Sequence, residues 1–343
     1  MGTVLVTGGS GFLGGWCAIQ ALQAGHQVRT TVRSLSRERE VREALASQVD
    51  AGDRLSFLAA DLGSDGGWAE AVGGCDYVLH VASPFPPAQP KDPDDLIVPA
   101  RDGTLRVVRA ALEAGVQRVV VTSSVAAIRN GGIDLPPVPL TEEHWTEPDN
   151  DDLTPYTRSK TYAERAAWDF ARESGQEQRL AVVNPVAIIG PVLSDDLSYS
   201  VQAIQRLLNG MPGIPRLGFS FVDVRDVADL HMRAMTHPEA GGERFIAATE
   251  FLWMSDVGQI LRDRLGADAA KVPTRSIPNW VVRTMARFDS GLRTVAGDLG
   301  RRTDYSTEKA RTRLGWSPRP VEDSIVECAR SLIEHGAAPA RAA

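Results

Sequence analysis

The sequence has little cysteine, little histidine, few aromatic residues and no long apolar run. Its 343 residues include three cysteines, Cys17, Cys75 and Cys328, far apart in the chain. That count and spacing exclude a disulfide framework and a zinc pattern. Three reduced thiols in a cytoplasmic protein are the expectation. The six histidines are scattered as well, so no metal is expected. No apolar stretch approaches the ~18 residues needed to cross a bilayer, and no membrane partner is expected. The N-terminus lacks a basic segment followed by an apolar run and a small-residue cleavage site; residues 3–7 read as a strand instead. Positive charge is not in excess: 37 Lys and Arg stand against 44 Asp and Glu, a formal net charge of −7. Nucleic acid, which requires a basic footprint, is excluded as a partner on that ground.

What is present is an ordinary globular composition, 43% hydrophobic and 24% charged, in a chain long enough for one or two domains. Short apolar runs at 3–7, 27–32, 55–59, 77–81, 119–122 and 180–183 read as strands. Segments 14–24, 37–46, 98–114 and 156–174 between them read as helices, several closed by glycine. This alternation implies an α/β fold, a parallel sheet covered on both faces. After about residue 186 the rhythm changes, with proline and glycine frequent near 191 and over 211–218. Strands are expected at 221–226 and 245–247, and helices at 227–235, 257–265 and 325–334. The division is therefore a dinucleotide-binding domain over 1–186 and a smaller lobe over 187–335, partly interleaved with the first. Residues 336–343 are expected to fray.

Gly8, Gly11 and Gly14 follow the first strand and open the first helix. One glycine permits a tight turn, another lets backbone approach a pyrophosphate, and the third lets helix and strand pack closely. The helix N-terminus adds free N–H groups and partial positive charge. The run Gly8, Gly11, Phe12, Leu13, Gly14 is thus the expected cradle of a dinucleotide in a doubly wound, Rossmann-type sheet. An NAD-preferring site offers a carboxylate at the end of the second strand. Here the residues are Thr31-Val32-Arg33, without an acid. Arg33 can make a charge-assisted contact with a ribose 2′-phosphate, so the expected cofactor is NADPH/NADP. Arg37 either assists or is a solvated helix residue. Asp61-Leu62, after the third strand, either meets the adenine or only turns the chain.

Tyr156 and Lys160 stand at i and i+4, on one helix face. A phenol is a slow acid near neutrality, and an adjacent ammonium is expected to lower its pKa. It can then give a proton to a nascent alkoxide, or take one in the reverse direction. Lys160 can also hold the nicotinamide ribose. Ser123 and Ser124 end the fifth strand, at the edge where ligands bind in such sheets, and a serine there can hydrogen-bond the reacting oxygen.

With these motifs the chain resembles the extended short-chain dehydrogenases/reductases, through residues 7–14, Asp61-Leu62, Thr122-Ser123-Ser124, 156–160, Asn184-Pro185 and 221–227. Within them it is similar to the dihydroflavonol reductase, cinnamoyl-CoA reductase and microbial aldehyde/ketone reductase branch, through Thr31-Val32-Arg33, residues 80–84 and residues 159–164. The resemblance implies a catalytic Ser124, Tyr156 and Lys160. It also implies that Val81, Ala82 and Ser83 pass beside the cofactor and that Asn184, Pro185 and Val186 abut the nicotinamide. Plant cinnamoyl-CoA reductases typically carry Asn-Trp-Tyr-Cys near the catalytic tyrosine. This chain has Leu153-Thr154-Pro155-Tyr156, which speaks against that substrate. Epimerases and dehydratases bring acids to places held here by Val32-Arg33 and Val125-Ala126.

The expected activity is reversible, NADPH-dependent reduction of a small aldehyde or ketone by a cytoplasmic monomer or homodimer. A sugar-nucleotide or sterol-type epimerase/dehydrogenase is the alternative on this scaffold; a cofactor-sensing protein without turnover would not need the tyrosine–lysine pair. Expected pocket residues are Phe85, Ser124, Tyr156, Ile188 and Tyr199, with further walls over 211–219 and at Trp253. An apolar wall suits an alkyl or aryl carbonyl compound.

Arg33 generates a first prediction. A hydrogen bond to a charged group is worth about 1.5–3 kcal/mol. Arg33→Ala should therefore erode the preference for NADPH over NADH roughly 10–150-fold, mainly through KM. Adding Val32→Asp should favour NADH further. The check is kcat/KM for both cofactors on the native, single and double variants; a native enzyme indifferent to the 2′-phosphate would refute the role.

Overall fold

The computed structural model describes residues 1–84, 90, 92–129, 139–150, 153–287 and 296–339. In chain order its strands are β1 (Thr3–Thr7), β2 (Gln27–Val32), β3 (Leu55–Ala59), β4 (Tyr77–His80), β5 (Arg118–Thr122), β6 (Leu180–Pro185), β7 (Ala187–Ile189), β8 (Ile214–Pro215), β9 (Gly218–Asp223), β10 (Glu243–Ala247), β11 (Phe251–Trp253) and β12 (Ser276–Ile277). The helices are α1 (Phe12–Gln23), α2 (Glu38–Ala46), α3 (Trp68–Val72), α4 (Asp94–Glu113), α5 (Pro155–Glu173), α6 (Tyr199–Asn209), α7 (Val224–Thr236), α8 (Met254–Leu265), α9 (Asn279–Met285), α10 (Glu308–Leu314) and α11 (Val321–Glu334).

Seven strands form one sheet in the order β3-β2-β1-β4-β5-β6-β10, and every pairing in it is parallel. Side chains alternate between its faces. Val4, Val6, Leu79, Val120, Ala181 and Val183 pack with α1 and α7. Leu5, Val78, Val119, Val121, Leu180 and Val182 pack on the other side with α3, α4 and α5. Both faces are dry, which is why these strands read as continuous apolar runs. Each buried Val or Leu contributes about 1.5–3 kcal/mol relative to exposure.

The second lobe has its own core. Ile204 and Leu207 of α6, Val257 and Leu261 of α8, and Ile325 and Leu332 of α11 meet there. Two small sheets accompany it, β11-β9-β7 and β12-β8. The chain nevertheless returns to the first lobe twice, once with α7 packing on α1 and β10 extending the main sheet beside β6, and again with α10, whose Ala310 and Leu314 join the first core.

Several details differ from the sequence expectation. The strand expected at 221–226 is β9, Gly218–Asp223, and the Asp223 side chain caps a helix that already begins at Val224 rather than 227. Helix α4 begins at Asp94 rather than 98, and runs through Pro99. Asp94 and Asp95 in its first turn favour that start electrostatically. Helix α6 begins at the expected pocket residue Tyr199 and runs through a stretch, 200–209, for which no element was expected. The segment expected to fray from 336 is packed as far as 339: Ala338 is buried, and Gln205 Nε2 donates to Ala337 O at 2.8 Å. The remainder of that segment, 340–343, lies outside the described residues. All three cysteines are free and buried. No described helix is long and apolar enough to cross a membrane.

Candidate functional site

The strand order reverses between β1 and β4, and a crevice opens there at the carboxyl ends of the strands. Gly8 leaves β1 with φ +73°, and a Cβ on it would lie 3.0 Å from that of Ala82. A Cβ on Gly14 would lie 2.1 Å from Gly8 O, so α1 can start this close to β1 only with glycine there. Gly11 differs: its Cβ would meet only Gly8 O, at 3.3 Å, and otherwise point into space. Gly11 precedes α1, and neither a capping side chain nor an acid in the first turn occupies the helix N-terminus. An open glycine at an uncapped helix start fits a dinucleotide pyrophosphate. Leu13 is buried, and Phe12 packs against both lobes' cores.

Around this turn the expected residues fall as follows. Arg33 is exposed and makes no side-chain hydrogen bond among the described residues. Arg37 is the cation against the turn itself: Nη1 donates to Ser10 Oγ at 3.2 Å while Nη2 pairs with Glu40 at 2.7 Å. Asp61 is exposed, and its Oδ1 accepts from Gly63 N at 2.7 Å, so one oxygen is used in the turn. Leu62 packs against the core beneath α4.

Thr7, the last residue of β1, ties the next part together. Its Oγ1 accepts from the N–H groups of Val81 (3.1 Å) and Ala82 (3.0 Å). The single hydroxyl proton therefore goes to His80 Nδ1 at 2.9 Å, leaving the imidazole proton on Nε2. Burial, with Lys160 adding to it, pushes His80 down to about 3, so the ring is neutral. Ser83 Oγ accepts from Lys160 Nζ at 3.1 Å.

Tyr156 and Lys160 are placed by how α5 begins. Pro155 suits the first helical position, and Thr154 caps it by accepting from Thr157 N at 3.2 Å. Tyr156 follows immediately and hydrogen-bonds Ser124. The expected lowering of the phenol by Lys160 does not hold. Burial dominates and raises Tyr156, and the Ser124 hydrogen bond partly opposes it. Burial also pushes Lys160 down to about 8, with Glu164 acting in the opposite direction.

The two serines have separate partners. Ser124 Oγ accepts from Ala126 N at 3.1 Å and meets Tyr156. Ser123 Oγ donates to Glu164 Oε2 at 2.5 Å. Sequence reasoning missed this buried carboxylate's role, and with it Arg244, whose Nε donates to Glu164 Oε1 at 2.6 Å. Asn184 is fully buried, Pro185 ends β6, and Val186 N donates to Ala247 O at 3.1 Å.

An open cleft continues from here. Val125, directly after Ser124, and Val186 line its inner end; Phe219, Phe251 and Tyr305 supply aromatic walls, and Arg129 is ion-paired with Asp298. Of the expected pocket residues, Phe85 lies outside the described residues. Ile188 packs against the main core and its neighbour Ala187 lines the cleft, since alternate strand residues face opposite ways. Tyr199 is 42% exposed at the start of α6 and does not line the cleft. Trp253 sits beside it, edge-on to Phe251, with Arg216 over its ring.

Comparison with known proteins gives the family and the fold. Residues 4–248 match the model of the NAD dependent epimerase/dehydratase family. Cinnamoyl-CoA reductase CAD2 of Medicago truncatula is 36% identical, over 96% of this chain and 95% of its own. Dihydroflavonol 4-reductase of Hordeum vulgare is 33% identical, over 77% of this chain and 75% of its own. Among solved structures, the yeast methylglyoxal/isovaleraldehyde reductase Gre2 complexed with NADPH superposes with a TM-score of 0.81 at 26% identity. That match covers 97% of this chain and 99% of the other.

The separate partners of the serines predict separate phenotypes. Ser124→Ala should lower kcat with little change in thermal stability. Ser123→Ala should spare kcat more and lower the melting temperature, because Glu164 loses a donor. Steady-state kinetics with thermal denaturation of both variants tests this, and the reverse order would exchange their roles.

Proposed function

The chain belongs to the NAD dependent epimerase/dehydratase family of extended short-chain dehydrogenases/reductases and is an oxidoreductase of carbonyl and alcohol groups; from that premise we propose that it reduces an aldehyde or ketone with NADPH, Tyr156 giving the proton. The observation that carries this reading is the Ser124–Tyr156 hydrogen bond at the carboxyl edge of β5, with Lys160 one helical turn further.

A bound nicotinamide cofactor supplies the hydride. The chain's own residues do the rest. The uncapped start of α1 and the open face of Gly11 would hold the cofactor's pyrophosphate, and Arg33 with Arg37 would meet the 2′-phosphate of its adenosine ribose. The substrate's carbonyl oxygen sits between the Ser124 and Tyr156 hydroxyls, both of which can donate to it. As the carbonyl carbon takes the hydride, negative charge grows on that oxygen, and the Tyr156 O–H transfers its proton there, giving the alcohol. A phenol raised by burial keeps its proton at neutrality, which suits reduction. Lys160, charged below about 8, stabilises the phenolate left behind.

The cleft beyond Val125 and Val186 takes the rest of the substrate. Its Phe219, Phe251 and Tyr305 suit an alkyl or aryl carbonyl compound. The epimerase alternative gains no support at the end of β2, where Val32 and Arg33 stand in place of an acid.

Three outcomes test this reading. A panel of aldehydes, ketones and dihydroflavonols should consume NADPH, followed by its absorbance, and Tyr156→Phe should lower kcat roughly 10²–10⁴-fold with NADPH affinity largely kept. Near-native turnover in that variant would mean another group donates the proton. The pH profile follows from Lys160. It carries its charge below its pKa and loses it above, so reduction should be fast near neutrality and fall as pH rises through about 8.

A further inference from the structure

Behind Tyr156 and Lys160 lies a charged pair that the proton transfer above does not use. Glu164, one turn beyond Lys160 on α5, has no side-chain exposure, and Arg244 on β10 has 7%. The Glu164 carboxylate is saturated with donors from three other places in the fold. Oε2 accepts from Ser123 Oγ at 2.5 Å and from Asn184 Nδ2 at 2.8 Å. Oε1 accepts from Arg244 Nε at 2.6 Å and Trp168 Nε1 at 3.3 Å. Arg244 is itself fixed: Nη1 donates to the carbonyls of Glu142 and His144 at 2.8 and 2.9 Å, and the guanidinium stacks 3.6 Å from the Trp145 ring centroid.

Stability alone gives little reason for such a pair. Burying two charges costs several kcal/mol per ion, and apolar replacements are often neutral or better. Arg244 Nη2 is even left without a hydrogen-bond partner. What the pair does uniquely is geometric. Asn184 Nδ2 donates both to Glu164 and to Ser124 O, the latter at 3.2 Å. The amide's orientation is thereby forced, and its Oδ1 is left as a buried acceptor without a partner.

We propose that Glu164, held by Arg244, is the positioning residue of the reaction centre: it locks the ends of β5 and β6 to the middle of α5, and so sets Ser124 against Tyr156 and leaves Asn184 Oδ1 as an unpaired buried acceptor. This rests on the reductase reading above. It also places a fixed negative charge one turn from Lys160. The titratable groups acting with Lys160 are His80, from the end of β4, and Glu164, from its own helix; the phenol of Tyr156 stands on the same face of α5. His80 is neutral, so Glu164 is the charge among them that favours the ammonium.

The test is kinetic and uses the whole protein. Glu164→Gln keeps the shape and removes the charge. The kcat for carbonyl reduction should fall roughly ten- to hundredfold, the scale on which a remote misplacement acts, while KM for NADPH stays near native. The alkaline limb of its pH profile should also move to lower pH, because Lys160 loses the neighbour that favours its charge. Glu164→Asp, which keeps the charge and shifts the carboxylate, should lose kcat but hold the native limb. If the single amide variant does not fold, Glu164→Gln with Arg244→Gln leaves no lone buried charge and should show the same displaced limb. A melting temperature that falls while kcat and the limb stay native would reduce Glu164 to a structural residue and overturn the proposal. A native profile without an alkaline limb would overturn it too. Failure of the reductase reading is separate, since it is read from Tyr156→Phe.

Discussion

Every strand of the seven-stranded sheet runs in the same direction, so the carboxyl ends of β1, β4, β5 and β6 share one edge. Each delivers something different there. β1 ends in Thr7 and the glycine turn, β4 in His80 and the loop to Ser83, β5 in the two serines, and β6 in Asn184. These residues are far apart in the sequence and become neighbours only because the strands are parallel and in register. The edge is then locked at two levels. Near the cofactor turn the Thr7 hydroxyl bridges β1 and the segment after β4. Further along, Glu164 bridges β5, β6, β10 and α5.

The lobes are joined by charge rather than by a linker. Asp223, at the end of β9, caps α7 through Arg225 N at 2.8 Å and pairs with the Arg225 guanidinium at 2.7 Å. Arg225 reaches Glu327 on α11 at 2.5 Å and lies over the Trp16 ring of α1. Asp226, in the first turn of α7, holds Arg319 at 2.9 Å, and its carbonyl accepts from Trp316 Nε1 at 2.9 Å. The connection into α11 is thus pinned back onto a helix that covers the main sheet. The elements that cross between the lobes are thereby held to both.

Much of this was legible in the sequence where the signal is local. β1, β2 and β3 have the expected bounds because each is a short apolar run closed by polar or glycine residues. The start of α5, and so the spacing of Tyr156 and Lys160, follows from Thr154-Pro155. Helix α6 was legible too, though unassigned: Val201, Ile204, Leu207 and Leu208 form a helical stripe behind the capping Ser198. The sign of the Tyr156 shift was not legible, since spacing gives proximity to an ammonium but not depth of burial. Nor was the work of Glu164, which the sequence offers only as an acid in the run from Ser159. Its partners Ser123, Asn184 and Arg244 stand 41, 20 and 80 residues away. The cleft is equally non-local, drawing Val125, Phe219 and Tyr305 from three separate segments.

The buried cysteines bear on how such a protein endures its own chemistry. Burial raises Cys17, Cys75 and Cys328 alike, the last to about 12. Electrophiles attack thiolates, and a thiol that is both buried and hard to ionise is inert. All three thiols are thus held in their protonated, poorly nucleophilic form and away from the surface, so an electrophile that reaches the folded protein from solution meets almost no reactive sulfur.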